Sequence, residues 1–477
     1  MKITILLFFL TYSTFHTNGQ ETIQPPQRLS TDAAKSDFRS LILTLREYHP
    51  ALHEFVEEKT LEGTADSILH TIRDSISELQ LHQLVRIYLA RIGCGHTVAI
   101  PSEASYAYFR ADYAFIPFDI YYVEGKMYIK ELHVDGMDEL TGAELISIEQ
   151  KPVTEIIQEL KQIQPRDGWH ESFIDYNIQD NFRTYYRFLY GHKPTYEVEY
   201  KQKGNTGKII LPAETTLPQK EEKRQLPDTT RWKLTKEFTH AELYQFKRDS
   251  KWNMLRVKSF NTRTFKKTYK AIFKEIDETG ADHLVVDLRG NGGGYFPNGN
   301  YFLRYFMREK FSYHFYESDR KKSKDVLQPE SKNALTKFLF TLIPDRKDKQ
   351  GYRTNSLTYK PIRKHAFNGS VFVLTNGGTF SMASSVASYL KHKTEAQFIG
   401  TETGGGDEGS NGILMSWFVL PASQIRVMIP FFHVDHAFPG VEKGRGVLPH
   451  VAIDYSIDDL LQQKDKELEY IETWISK

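Results

Sequence analysis

Residues 284–294 are LVVDLRGNGGG, an apolar run that ends in a glycine-rich turn. The apolar half, Leu284 to Leu288, predicts a strand buried on both faces, because its Val and Leu residues follow one another without polar alternation. Glycines at the end of such a strand free backbone N–H groups and let a ligand approach the main chain closely. The stretch therefore predicts an oxyanion hole or a phosphate cradle at a strand end.

A second glycine turn lies later in the chain, where residues 375–385 are TNGGTFSMASS and follow the apolar run Val371 to Thr375. It places Ser381 at the start of a predicted helix that runs from about Met382 to Leu390. A nucleophilic Ser favours this position, because the turn exposes its Oγ and the next backbone N–H points toward the same space. The alternative is that Ser381 only caps the helix. Strand ends of one parallel sheet can converge, so we expect the two glycine turns to meet.

Nucleotide binding is the competing interpretation of residues 290–294. The run lacks the Gly-Lys-Ser/Thr ending of a P-loop and is not spaced as Gly-x-Gly-x-x-Gly. No Lys or paired acid for a metal–nucleotide site follows it. The sequence therefore favours an oxyanion hole.

The composition limits the classes of function. The chain has 477 residues, enough for two or three domains, with 40% hydrophobic and 26% charged residues. Its net charge of +1 does not indicate a nucleic-acid partner. A single cysteine, Cys94, excludes an internal disulfide.

The N-terminus has the pattern of an export signal. Lys2 precedes a short apolar run, Ile3 to Leu10, and a small polar run ends before Gln20. These features predict a signal peptide over residues 1–19 and a periplasmic or extracellular location, the alternative being a buried N-terminal helix. No later run is long and apolar enough to predict a membrane span.

Beyond the signal, the chain divides into four segments of different periodicity: residues 28–105, 106–213, 214–237 and 238–477. The first repeats apolar residues at helical spacing and predicts a helical domain. The second alternates strands with one amphipathic helix, Val153 to Ile163, and predicts a compact α+β domain. The third is polar, contains prolines and predicts a linker. The fourth alternates strands with helices, which predicts βαβ units. Within it, residues 319–364 are dense in charge and predict a solvated insertion, with a helix at 333–340.

Four blocks of the fourth segment resemble peptidase family S41, the tail-specific or C-terminal processing proteases and their tricorn-core relatives. The blocks are VVDLRGNGGG, TNGGTFSMASS, FIGTETGGG and GRGVLPHVAI, at residues 285–294, 375–385, 398–406 and 444–453. The resemblance implies a multidomain α/β protein with a crotonase- or ClpP-like βαβ catalytic core. It also implies an N-terminal helical domain and a PDZ-like α+β domain, to which GAELISIEQKPV at 142–153 is similar.

The resemblance assigns a role to individual residues of the two glycine turns. It implies that Ser381 is the nucleophile. The N–H of Met382 and one from Gly292 or Gly293 would form the oxyanion hole. The bacterial C-terminal processing branch uses a Ser-Lys dyad, but the position of that Lys falls on Gly406 here. This chain therefore cannot use the dyad.

The tricorn-like branch uses a His in place of the Lys. Residues 92–97, IGCGHT, resemble the DGHT block of that branch, with Cys94 in place of its Asp. The resemblance implies that His96 is the general base, and an unperturbed His titrates near neutral pH, as proton transfer from a Ser requires. Glu442, before the GRG of the last block, is the implied orienting acid. The alternatives are a surface loop histidine and an exposed loop acid.

These residues predict an exported serine endopeptidase that acts on polypeptides and uses no cofactor and no metal. The scattered His433, His436 and His450 lack metal-ligand spacing. Two alternatives stay open. One is a catalytically inactive S41-like protein that binds peptides or apolar ligands, and the other is a crotonase-like acyl-transfer enzyme. The PDZ-like segment predicts either peptide binding by strand addition or a structural role. The sequence predicts no oligomeric state.

Overall fold

The computed structural model describes residues 25–111, 114–215, 227–317, 326–330, 346–347 and 353–475. The predicted signal peptide and the helix predicted at 333–340 lie outside the described residues. None of the helices in these ranges combines the length and the apolar character that crossing a membrane requires.

Helices and strands alternate along most of the described chain. The α-helices are Thr31–Tyr48, Glu58–Thr71, Glu78–Ala90, Glu103–Ala111, Val153–Gln162, Ser172–Tyr190, Phe265–Glu278, Phe296–Leu303, Met382–Lys393, Ile457–Leu461 and Lys466–Ile475. The strands of three or more residues are Val98–Ile100, Phe118–Val123, Lys126–Leu132, Glu144–Ile148, Thr195–Gln202, Asn205–Pro212, Trp232–Phe238, Ala241–Phe246, Trp252–Val257, His283–Asp287, Phe311–Glu317, Arg353–Tyr359, Ser370–Thr375, Gln397–Gly400, Met415–Val419, Arg426–Pro430 and Phe432–Asp435.

A seven-stranded sheet forms the centre of the C-terminal domain. In spatial order its strands are Trp232–Phe238, Ala241–Phe246, Trp252–Val257, His283–Asp287, Ser370–Thr375, Gln397–Gly400 and Val451–Ala452. The pairs from Trp252–Val257 onward are parallel. Their residues are buried almost throughout, because helices cover the sheet. The predicted α/β core is therefore confirmed.

This sheet extends into the segment predicted as a linker. Trp232–Phe238 pairs antiparallel with Ala241–Phe246, and the buried Trp232 packs edge-on against Phe246 with ring centroids 5.1 Å apart. The C-terminal domain therefore begins at Trp232 rather than at residue 238. The strand was missed because it lies at the sheet edge, where most of its side chains are charged or polar and only Trp232 is fully buried. The predicted insertion also contains a strand, Arg353–Tyr359, which pairs with Phe311–Glu317.

The α+β domain has its own core between a sheet and two helices. The strands Phe118–Val123, Lys126–Leu132, Glu144–Ile148, Thr195–Gln202 and Asn205–Pro212 form the sheet in that order. Beside the predicted helix, the structure contains Ser172–Tyr190, which the sequence reasoning missed. That helix buries Ile174, Ile178, Phe182 and Tyr186 at a spacing of four residues.

The N-terminal helical region shares one hydrophobic core with the C-terminal domain. The strand Val98–Ile100 pairs antiparallel with Arg426–Pro430. The buried Asp37 accepts hydrogen bonds from the N–H groups of Ala422 and Ser423, at 3.0 and 2.7 Å. These contacts fix the turn that carries His96 against a three-stranded sheet of Val98–Ile100, Arg426–Pro430 and Met415–Val419, apart from the central sheet.

A buried histidine on the helix Glu78–Ala90 leads to a stability prediction. Burial lowers the pKa of His82 to about 3 from the ordinary value of 6.5. Below pH 6.5 the imidazole therefore binds a proton in the unfolded chain but stays neutral in the folded chain. His82 therefore destabilises the fold as pH falls, by about 2 kcal/mol between pH 7 and 5. We expect His82→Leu to reduce the loss of Tm between these pH values, whereas the exposed control His314→Gln leaves it unchanged. An unaltered pH dependence of Tm in His82→Leu contradicts the prediction.

Candidate active site

The two glycine turns meet at the carboxyl ends of adjacent parallel strands, His283–Asp287 and Ser370–Thr375. The Gly290 N–H donates to Asn376 Oδ1 at 2.9 Å, and the Phe380 N–H donates to Asn291 O at 3.0 Å. The turn that carries Ser381 is therefore tied by hydrogen bonds to the turn that carries the glycines, as the sequence predicted.

Two glycines allow the main chains to approach this closely. Gly293 has φ +92°, and a Cβ there would lie 2.7 Å from the Met382 N and 2.8 Å from the Ser381 Cβ. Gly294 has φ +140°, and a Cβ there would lie 2.3 Å from the Asn261 N. A side chain at Gly293 would push the glycine turn away from Ser381, and one at Gly294 would push it away from Asn261.

Ser381 has a strained backbone. Its φ of 56° and ψ of −124° are rare for a residue with a side chain and cost roughly 1–3 kcal/mol. The helix Met382–Lys393 begins at the next residue, so Ser381 occupies a sharp strand-to-helix turn. Its hydroxyl makes no capping bond to this helix. This conformation is typical of a nucleophile presented on a turn.

His96 lies beside Ser381, with its Nε2 3.0 Å from the Ser381 Oγ. The imidazole stacks on Phe380 at a centroid distance of 4.9 Å. On another side, a Cβ at Gly412 would lie 2.5 Å from the Nε2. Packing therefore holds the ring within the distance at which a general base accepts a proton.

The protonation state of His96 follows from its burial. Desolvation lowers its pKa to about 4, so the imidazole is neutral at neutral pH. A neutral imidazole can accept a hydroxyl proton, whereas an imidazolium cannot.

The acid beside the imidazole is Asp167, which the sequence reasoning missed. Its Oδ1 lies 3.9 Å from the His96 Nδ1, longer than a hydrogen bond, and accepts one from the Gly95 N–H at 2.7 Å. The Nδ1 has no hydrogen-bond partner among the residues that the structure describes. Burial raises the pKa of Asp167 to about 7. Asp167 precedes Gly168 in the connection between the helices Val153–Gln162 and Ser172–Tyr190, and that Asp-Gly pair was the available signal.

Glu442, the predicted orienting acid, lies elsewhere. It is exposed in the turn before Gly444 and forms no ion pair with His96 within the described ranges. The pKa of Arg445 is raised chiefly by its hydrogen bonds to Glu402, and the Glu442 carboxylate adds only a smaller electrostatic contribution. The structure thus brings Ser381 and His96 together but does not bring Glu442 to them, because its turn faces solvent.

The sequence predicts three N–H donors for the oxyanion hole, those of Gly292, Gly293 and Met382. Met382 opens its helix, where the first N–H groups have no intrahelical acceptor. The Gly293 N–H donates to Asn291 Oδ1 at 2.9 Å. No acceptor for the Gly292 N–H lies within hydrogen-bonding distance in the described part of the chain. Gly292 and Met382 therefore have the donors that are available to an oxyanion.

The other polar residues singled out in the sequence have partners of their own. Cys94 is buried, which raises the pKa of its thiol to about 12, and it accepts a hydrogen bond from the Thr97 hydroxyl. His436 contacts the Ser385 hydroxyl at 3.1 Å, and His450 accepts the Phe398 N–H at 2.9 Å. In the described ranges, no group of three or more His, Cys, Asp or Glu residues could hold a metal ion.

Comparisons with known proteins agree with this architecture. Residues 251–426 match the model of peptidase family S41, and residues 112–222 match that of the PDZ domain. No curated protein matches the chain.

Solved structures are similar to this chain over most of its length. Mature CPAF is similar at a TM-score of 0.66 and 12% identity, over 93% of this chain and 96% of that one. Mature CPAF complexed with lactacystin is similar at a TM-score of 0.65 and 13% identity, over 93% of this chain and 97% of that one. A candidate peptidase from Parabacteroides merdae ATCC 43184 is similar at a TM-score of 0.51 and 13% identity, over 94% of this chain and 96% of that one. At these identities the likeness shows the fold alone.

Proposed function

We propose that the chain, whose residues 251–426 match the model of peptidase family S41, is a serine endopeptidase with Ser381 as nucleophile and His96 as general base. The observation that carries the proposal is the 3.0 Å contact between the His96 Nε2 and the Ser381 Oγ. A neutral, buried imidazole at that distance can take the hydroxyl proton as the oxygen attacks.

In the proposed acylation step, the Ser381 Oγ attacks the peptide carbonyl carbon and His96 receives the proton. Negative charge develops on the carbonyl oxygen, where the N–H groups of Met382 and Gly292 can donate to it. The Gly293 N–H can join them only by leaving Asn291. His96 then passes its proton to the leaving amine as the C–N bond breaks, which leaves an acyl-enzyme.

In the proposed deacylation step, water attacks the acyl carbon. His96 takes a proton from the water, and the same N–H groups stabilise the second oxyanion. As this intermediate collapses, the bond between the acyl carbon and the Ser381 Oγ breaks and His96 returns its proton to the Oγ, which releases the new carboxyl terminus and restores the Ser381 hydroxyl.

We assign the orienting role to Asp167 rather than to Glu442. Its carboxylate is 3.9 Å from the His96 Nδ1, so a small approach would make the hydrogen bond that holds the imidazole tautomer. Its negative charge would also stabilise the imidazolium that forms when Ser381 is deprotonated.

Labelling with a fluorophosphonate, which reacts with activated serines, tests the proposal. We expect one adduct per chain, located by peptide mass spectrometry at Ser381, and a much slower reaction in His96→Ala. Labelling of the wild type that is absent, or that occurs only elsewhere, contradicts the proposal. Absent labelling together with retained peptide binding would instead favour the catalytically inactive alternative.

The packing of His96 leads to a further prediction. We expect Gly412→Ala to lower kcat/KM about 100-fold, because its Cβ would lie 2.5 Å from the His96 Nε2 and displace the ring from Ser381. The matched control is Gly63→Ala, where a Cβ meets nothing within 4 Å. Hydrolysis of a fluorogenic peptide measures kcat/KM in both variants, and their Tm values measure stability. Equal activity in both variants would mean that the position of His96 does not limit the reaction.

Two features of the chain extend the proposal. The PDZ domain at residues 112–222 is proposed to hold the tail of a polypeptide substrate by strand addition. Residues 1–19 are proposed to direct export, and N-terminal sequencing of the protein from the cell exterior or periplasm should find a start near Gln20.

A further inference from the structure

An open cavity of about 550 Å³ lies beside the glycine turn, outside the Ser381 site. Cationic and aromatic side chains line it: Arg263, Lys266, Arg304, Tyr295, Tyr301 and Tyr359. Tyr295 directly follows Gly294, so one wall of the cavity continues from the turn that packs against Ser381. The cavity therefore belongs to the neighbourhood of the active site but uses none of its residues.

The positive charge of this cavity is unbalanced. None of the residues that line it in the described part of the chain is acidic. Within the described part of the chain, neither Arg263 nor Lys266 forms an ion pair. The helix Phe265–Glu278 has no acid in its first turn, where Lys266 lies. A cation there opposes the helix dipole, so a bound anion would relieve the repulsion.

The side chains are also arranged to meet an anion from several directions. The Arg304 Nε donates to the Lys360 O at 2.7 Å, which fixes the guanidinium and leaves its other N–H groups available. Arg304 lies over the Tyr301 ring at 5.4 Å, and Lys266 lies over the same ring at 6.0 Å. Both cations therefore lie over the face of one aromatic ring.

The position of the cavity suggests where its ligand is attached. Pro297, Tyr301 and Arg304 lie on one face of the helix Phe296–Leu303 and its C-cap. Gly299 lies on the opposite face, against the side chain of Met382. One helix, about 10 Å across, thus separates the cavity from the nucleophile. An extended peptide advances about 3.3 Å per residue, so a residue about three to four positions from the scissile bond could reach the cavity.

We propose that this cavity binds the carboxylate of an acidic residue in the polypeptide substrate, about three to four positions from the bond that is cleaved. The proposal rests on the proposed peptidase function. It adds a preference for acidic substrates that Ser381, His96 and Asp167 do not supply. Carboxylate and phosphate share the chemistry that such a site recognises, so free phosphate is the competing source of the anion.

The test compares two fluorogenic peptides that differ only in Glu or Gln at positions three and four from the cleaved bond, on either side. In the wild type we expect kcat/KM on the order of tenfold higher for the acidic peptide, mainly through KM. Arg263→Gln/Lys266→Gln should abolish the difference. Lys270→Gln, which removes an exposed charge from the same helix but does not line the cavity, should retain it. Equal values for the two peptides in the wild type, or the same preference in all three proteins, overturn the proposal.

A binding measurement separates this proposal from the peptidase assignment. Fluorescence anisotropy of the same peptides with Ser381→Ala should give the same preference for the acidic peptide, whether or not the wild type cleaves either of them. Inorganic phosphate should displace the acidic peptide and leave the neutral one bound. Phosphate binding that Arg263→Gln/Lys266→Gln abolishes, without any acidic-peptide preference, would overturn the substrate assignment and identify a free anion as the ligand.

Discussion

Ser381→Ala is expected to lower kcat by about 10⁵- to 10⁶-fold, while KM for a fluorogenic peptide stays within a few-fold of the wild-type value. The substitution removes the Ser381 Oγ, which lies 3.0 Å from the His96 Nε2 and would form the acyl bond. It leaves the N–H groups of Met382 and Gly292, so a small residual activity above that of water should persist. Undiminished hydrolysis in the purified variant would disprove the nucleophile assignment.

The matched control for this experiment is Ser385→Ala. Ser385 lies one helical turn further along the same helix, and its hydroxyl contacts a histidine, His436, at 3.1 Å. It is buried and outside the cluster around His96, so its loss should lower stability by about 1 kcal/mol and leave kcat unchanged. Ser381→Ala should show the reverse pattern, an unchanged Tm with lost activity. Together the two variants separate a catalytic hydroxyl from a structural one.

The parts of the site that depend on local backbone chemistry could be predicted from the sequence. Gly293 and Gly294 reveal a close main-chain approach because no other residue tolerates their φ values and contacts. Ser381 follows two glycines at the end of an apolar strand, which specifies a sharp turn before a helix. Both strands were expected in one parallel sheet, whose strand ends can converge, so the meeting of the two turns could be expected from topology.

The parts that depend on long-range packing could not be predicted in the same way. Asp167 lies 3.9 Å from His96 because hydrogen bonds of its loop to Gly93 and Gly95 hold it against the N-terminal region. The helix Ser172–Tyr190 that follows this loop was missed although it buries apolar residues every four positions. Buried arginines among its aromatic residues, Arg183 and Arg187, obscured the amphipathic pattern. The sequence favours Glu442 because it lies just before a recognisable block, yet proximity to a block does not specify the direction of a loop side chain.

Asp167→Asn is expected to lower kcat about 10²- to 10⁴-fold with little change in KM. An amide can still accept the Gly95 N–H through its oxygen, so the loop should keep its position, but it cannot stabilise the imidazolium form of His96. Glu442→Gln is the matched control, since it makes the same change on an exposed acid, and its kcat should stay within about twofold. Loss of activity in Glu442→Gln with full activity in Asp167→Asn would reverse the assignment of the orienting acid.

The pH dependence of Asp167→Asn distinguishes a role in catalysis from a role in folding. Burial raises the pKa of Asp167 to about 7, so wild-type kcat/KM should rise with pH as this carboxyl ionises. In the variant this rise of kcat/KM with pH should disappear. Its kcat/KM should stay at a low constant value down to the pH at which His96, whose pKa is about 4, becomes protonated.

The folded pKa of Asp167 lies above its unfolded value of 3.8, so ionisation of this carboxyl lowers the free energy of unfolding as pH rises from about 4 to 7, by up to about 4 kcal/mol. At pH 8 the variant should therefore have a higher Tm than the wild type although its activity is lower. A Tm that falls together with activity would mean that Asp167 supports the fold and not the chemistry.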